Sequence, residues 1–155
     1  VRQFYFDAWH YFFLEALLKS RDVKVAAIAE KSIKEVRYHL RRSSDLIIRL
    51  GDGSQESHQR IQRSIDALWM YTGELFTSDA IDLEMQQQAI APDLNQLNAS
   101  WKQHIQQVCT EATLRVPADD AWMQKGGKTG IHTEHLGYLL AEMQFLQRAY
   151  PGAQW

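Results

Sequence analysis

Between Phe4 and Leu18, 12 of 15 side chains are apolar or aromatic, which leaves a helix there almost no face for water. The exceptions are Asp7, His10 and Glu15. A helix apolar on nearly every side has to be buried, so Asp7 and His10 are expected inside the fold. A buried carboxylate is costly unless it is paired, hydrogen-bonded or metal-bound, and side chains three apart on a helix share one face. The run is too short and too charged for a membrane span, and it lacks the basic flank and small-residue cleavage site of a secretion signal. Its faces need partners and the chain opens on Val1 rather than methionine, so we expect a further N-terminal portion to precede this sequence.

The rest of the chain repeats apolar residues in steps of three and four. The spacing predicts a first helix over 3–20 and a second over 23–50 with an inward stripe of Val25, Ala29, Ser32, Val36, Leu40, Ser43, Ile47 and Leu50. Gly51-Asp52-Gly53 ends it. A third helix over 54–76 buries Ile61, Ile65, Leu68 and Leu75, with Asp52 or Ser54 as candidate cap. A short helix fits 79–88. Pro92-Asp93 opens a fourth long helix, with Gln96 as capping-box partner and a stripe of Leu94, Leu97, Trp101, Ile105, Val108 and Ala112. Residues 116–131 read as a loop, and 132–150 as a last helix carrying Leu136, Leu139, Met143, Leu146 and Tyr150 up to Pro151-Gly152. No alternating strand pattern competes. The reading is an all-α bundle, one domain over 1–155.

With 45% apolar and 23% charged residues the chain has the makings of a real core. A net charge of -2 gives no overall basic excess, so the electrostatic case for nucleic-acid binding is missing. The single cysteine, Cys109, precludes an internal disulfide framework and fits a reducing, cytoplasmic setting.

Four residues form the candidate site. On the second helix His39 falls about 60° from Val36 and Glu35 about 100°, which points the histidine toward the core and sets the glutamate at its edge. Carboxylate-bridged di-iron bundles use Glu-x-x-His, because paired irons take oxygen ligands with one imidazole each. Asp7 and His10 have that spacing with a shorter acid, whereas Glu35 and His39 are one residue too far apart, turning the glutamate by about 100°. Mutual pairing of buried acids and histidines explains the pattern equally well. His132-Thr133-Glu134-His135 is better read as a helix cap and first-turn acid than as a metal site. Gly126-Gly127-Lys128-Thr129 resembles the end of a phosphate loop, but Trp122 stands where its first glycine belongs and no strand precedes it. Lys125 and Lys128 remain candidate anion or partner contacts. Glu111 is expected at the surface. Lys31, Lys34, Arg37, Tyr38, Arg41 and Arg42 share the outer side of the second helix, either solvated or facing an acidic partner.

Several strings together carry a resemblance that spans the chain: Phe6-Asp7-Ala8-Trp9-His10, Ile33 through Arg41, Gly126-Gly127-Lys128, His132 through Gly137, Leu140 through Gln144, and Pro151 through Trp155. The chain resembles the C subunits of bacterial phenylacetyl-CoA epoxidases, the ring 1,2-epoxidases of phenylacetate degradation. The resemblance implies a ferritin-like helical subunit that pairs with a homologous catalytic A subunit. There the A subunit holds the di-iron centre, which inserts one oxygen atom of O₂ into the aromatic ring with electrons from NADPH delivered by a separate reductase. The C subunit is structural and has no cofactor of its own. Family members are longer at the N-terminus by roughly a pair of helices. Asp7, His10, Glu35 and His39 would then be the degenerate remains of half a di-iron site. Two rival expectations remain: an active di-iron oxygenase or oxidase using those four residues, and a stand-alone module binding a CoA-like anion through Lys125 and Lys128.

Overall fold

The computed structural model describes residues 1–154, and among them every regular element is helical. They run α1 (Arg2–Leu17), α2 (Val23–Gly51), α3 (Gln55–Trp69), a 3-10 turn at Gly73–Phe76, α4 (Ala80–Gln87), α5 (Leu94–Glu111), a second 3-10 turn at Gly127–Thr129, α6 (His135–Met143) and α7 (Phe145–Ala149). The all-α, ferritin-like bundle class read from the sequence holds. Trp155 lies outside the described residues. The chain divides into two compact units, Val1–Gln124 and Lys125–Trp155.

In the first unit α1 packs on α2 and α5, and α2 also packs on α3 and α5. The helix starts follow the local chemistry. Asp22 accepts the Lys24 and Val25 amides, Ser54 the Ser57 amide, and Asp93 the Asn95 amide, each satisfying donors that a helix end leaves open. Asp79 and Asp82 form a reciprocal capping box on α4. The third helix ends at Trp69, earlier than its periodicity predicts, and the chain re-forms a turn at Gly73–Phe76. Close approach explains a glycine there: a Cβ on Gly73 would sit 3.1 Å from Met123 Cγ.

The core of this unit is aromatic. Tyr5, Trp69, Phe76 and Trp101 surround one another with ring centroids 5.3–5.8 Å apart, in tilted and edge-on pairs. The inward stripe predicted for α5 is buried throughout: Leu94, Leu97, Trp101, Ile105, Val108 and Ala112. On α2 the buried line is Ala29, Ile33, Val36, Leu40, Ser44, Ile47 and Gly51, so Ile33, Ser44 and Gly51 replace the expected Ser32, Ser43 and Leu50. That change rotates the inward face by about 45°. Two contacts accompany it: Ser44 Oγ lies 3.2 Å from His104 Nε2, and the buried Gly51 lies against Ala112.

In the second unit, Gly126 and Gly130 take left-handed conformations (φ 100° and 89°) around the short turn, and the Ile131 amide closes it on Gly126 O at 2.8 Å. The predicted last helix is two helices, because Gln144 leaves the helical region. Its expected stripe is not a core stripe: Leu139, Met143, Leu146 and Tyr150 are exposed, and Leu136 is half-buried. Neither Thr133 nor Glu134 caps α6 through its side chain, contrary to the sequence expectation.

Candidate functional site

Asp7 is buried on α1 at 3% exposure, as the apolar run around it requires. Its carboxylate accepts a 2.6 Å hydrogen bond from Gln3 Nε2, one turn earlier. His10 is half-buried, with Phe6 5.3 Å and Trp9 6.4 Å from its ring centroid. Burial holds its pKa below the ordinary histidine value, Asp7 opposes that shift, and His39 adds to it.

Glu35 and His39 stand differently from the sequence expectation. His39 does not point into the core. Its side chain is 47% exposed, Glu35 is 79% exposed, and the two meet at 3.4 Å across one helical turn. The rotation of α2 is the reason, since the buried line passes through Ile33 and Ser44 and leaves His39 about 100° from its centre. Asp7 and His39 nevertheless border one cavity of about 120 Å³, whose apolar wall includes Phe4, Ile47, Leu50 and Ile61 and whose rim carries Arg42. His10 and Glu35 do not line it.

Of the four candidate residues, Glu35 and His39 turn to one another, and only Asp7 and His39 border the same cavity. Among the described residues, no group of three or more histidine, cysteine, aspartate or glutamate side chains converges as a metal would need. Glu35 is turned to solvent and engaged with His39, and an arginine shares the cavity with Asp7. The arrangement can bury and orient polar groups between helices. Among the described residues, no acid, base and open coordination position come together in it.

A further histidine with a defined partner, His104, has no counterpart among the sequence candidates. It sits between Phe4 and Phe12, with ring centroids at 6.0 and 6.3 Å, and reaches Ser44 across 60 residues of sequence. No local spacing announces such a pair. Burial lowers its pKa below 6.5. The folded chain therefore takes up protons on His10 and His104 less readily than the unfolded chain does. Their contribution to stability is complete above the unfolded value near 6.5 and is lost as pH falls through the interval below it. Urea midpoints should drop between pH 7.5 and pH 5, and the drop should be smaller in His104→Gln; an equal drop would remove His104 from this account.

The remaining candidates are plain in position. Cys109 is fully buried, and its thiol pKa is pushed up to about 11 by burial, far from a reactive thiolate. Glu111 is exposed. Lys125 and Lys128 are exposed at the start of the second unit, and neither is without a partner there. No helix among the described residues is long and apolar enough to cross a membrane.

Similarity to known proteins runs along the whole chain. The family described as "Phenylacetic acid catabolic protein" matches residues 1–155. The chain is also 49% identical over 155 residues to the C subunit of the 1,2-phenylacetyl-CoA epoxidase of Escherichia coli (strain K12), covering 100% of this chain and 62% of that protein. The chain thus spans less than two thirds of the length of the curated relative it matches.

Proposed function

The chain belongs to the phenylacetic acid catabolic protein family, and on that premise we propose that it is a non-catalytic structural subunit of a multicomponent phenylacetyl-CoA 1,2-epoxidase. Its role in this reading is to support a separate catalytic A subunit, which carries the di-iron centre and draws electrons from NADPH through a reductase. The chain itself needs no cofactor, and the setting is cytoplasmic. Asp7, His10, Glu35 and His39 are the degenerate counterparts of a di-iron half-site. Lys125 and Lys128 serve as contacts to the other subunits.

One observation carries the choice of scaffold over catalyst: Glu35 and His39 pair with each other at the surface, while Asp7 is held by Gln3 beside a small cavity that neither Glu35 nor His10 lines. A support subunit needs buried area and shape rather than nucleophiles. It must hold neighbouring helices so that a partner's metal ligands stay within about 0.5 Å of their working positions.

Metal content decides between this and a true di-iron oxygenase. The full-length protein is loaded anaerobically with ferrous iron, desalted and analysed. Essentially no iron on a folded protein is the expected result. Near-stoichiometric paired iron, lost on Asp7→Ala or His39→Ala, would make this chain the catalyst and overturn the proposal.

A further inference from the structure

The outer face of α2 carries most of that helix's basic residues. Seven basic and three acidic residues give α2 a charge of +4 within a chain of -2, so the remaining sequence carries -6. On the outer side of α2, Tyr38, Arg41, Arg42, Asp45, Leu46 and Arg49 line a shallow groove of about 350 Å³, of which Arg42 and Leu46 also border the cavity beside Asp7. The groove residues span three helical turns, about 16 Å. Tyr38 is 54% and Leu46 48% exposed, leaving two apolar anchors two turns apart.

The groove is partly organised before anything binds. The Arg41 guanidinium lies 5.9 Å over the Tyr38 ring. Among the described residues, Arg41, Arg42, Arg49 and Asp45 make no ion pair with the rest of the chain. Each arginine therefore keeps its fork of donors for an outside carboxylate. Arginine and tyrosine are also the residues on which interface energy concentrates.

We propose that this face docks an acidic helix of another subunit of the complex, an inference that rests on the subunit reading above. Asp45 selects this occupant over a phosphate-bearing small molecule. A carboxylate in the middle of the groove repels a polyphosphate, whereas a helix with acids against the three arginines and one basic residue against Asp45 satisfies every group. Lys24, Lys31 and Lys34 extend the same face toward the helix start and attract an acidic partner at longer range.

The test uses full-length protein and the catalytic A subunit, with the dissociation constant measured by biolayer interferometry. Arg41→Glu, Arg42→Glu and Arg49→Glu are combined; all three positions are exposed, so circular dichroism should show an intact fold. Binding is expected to weaken about 100-fold or more in the triple variant, and the wild-type constant to rise steeply from about 50 to about 500 mM NaCl. The triple lysine variant should retain part of the affinity. Unchanged binding by the folded triple variant overturns the inference and leaves the subunit reading intact. Absence of wild-type binding to the A subunit overturns both. Arginine-dependent binding of coenzyme A alone, with protein association unaffected, replaces the acidic helix with an anionic ligand.

Discussion

Trp101→Ala is expected to lower the unfolding free energy by about 4 kcal/mol or more, the range found when large aromatic residues are truncated in cores. Trp101 is 1% exposed and meets Tyr5, Trp69 and Phe76 through ring contacts of 5.8, 5.5 and 5.3 Å. Its indole Nε1 donates to Tyr5 O at 2.9 Å, a bond that joins α5 to α1. Truncation removes the packing of three helices and leaves a void that rigid neighbouring rings cannot collapse to fill. Trp101→Phe separates the contributions. It restores most of the volume but not the donor, and should cost about 1–3 kcal/mol. Urea denaturation of the full-length protein, followed by circular dichroism, reads both values. A loss below about 1.5 kcal/mol for the alanine variant would mean that the aromatic cluster is not the centre of the core. Because domains are stable by only about 5–15 kcal/mol, a loss of the expected size should also lower the amount of soluble protein.

Gly51→Ala is expected to destabilise by about 2–3 kcal/mol, although alanine is the better helix former by about 1 kcal/mol. The steric effect wins because of what lies opposite. A Cβ at Gly51 would fall within contact distance of the Ala112 carbonyl oxygen, 2.8 Å from Ala112 Cβ and 2.9 Å from Leu114 Cδ1. A flexible side chain could move aside; a backbone oxygen at the end of α5 cannot. That end is itself constrained, since Thr113 holds a left-handed conformation at φ 59°, unusual for a β-branched residue. The Leu114 amide bonds back to Cys109 O at 2.8 Å. Gly51→Val should be worse than Gly51→Ala. Thermal melts of the two variants rank them, and an alanine variant as stable as wild type would show that α2 and α5 can separate there at no cost.

These two positions also mark how far local spacing reaches. Trp101 is legible as core from its four-residue spacing to both Leu97 and Ile105, and the α5 stripe needs no correction. Gly51 is legible as a helix end, but its buried contact with a residue 61 positions later is not. The candidate site divides in the same way. Asp7 has to be buried because the helix around it is apolar on nearly every side, and Gln3 already stands at the right spacing to satisfy it. His39 points inward only if Ser32, Ser43 and Leu50 belong to the stripe of α2, and in the folded chain they do not.

The amino-acid sequence by itself determined the long helices, the starts at Ser54 and Asp93, the α5 face of the core and the family, because these follow from spacings of a few residues or from strings that run the length of the chain. Only the tertiary structure decided which way α2 rolls. The contacts that accompany its setting, Ser44 with His104 and Gly51 with Ala112, join residues about 60 positions apart. A rotation of about 45° costs nothing in helical hydrogen bonding, so local propensity cannot choose it. It decides whether His39 faces the core or water, whereas Tyr38 lies on the outer side in either setting.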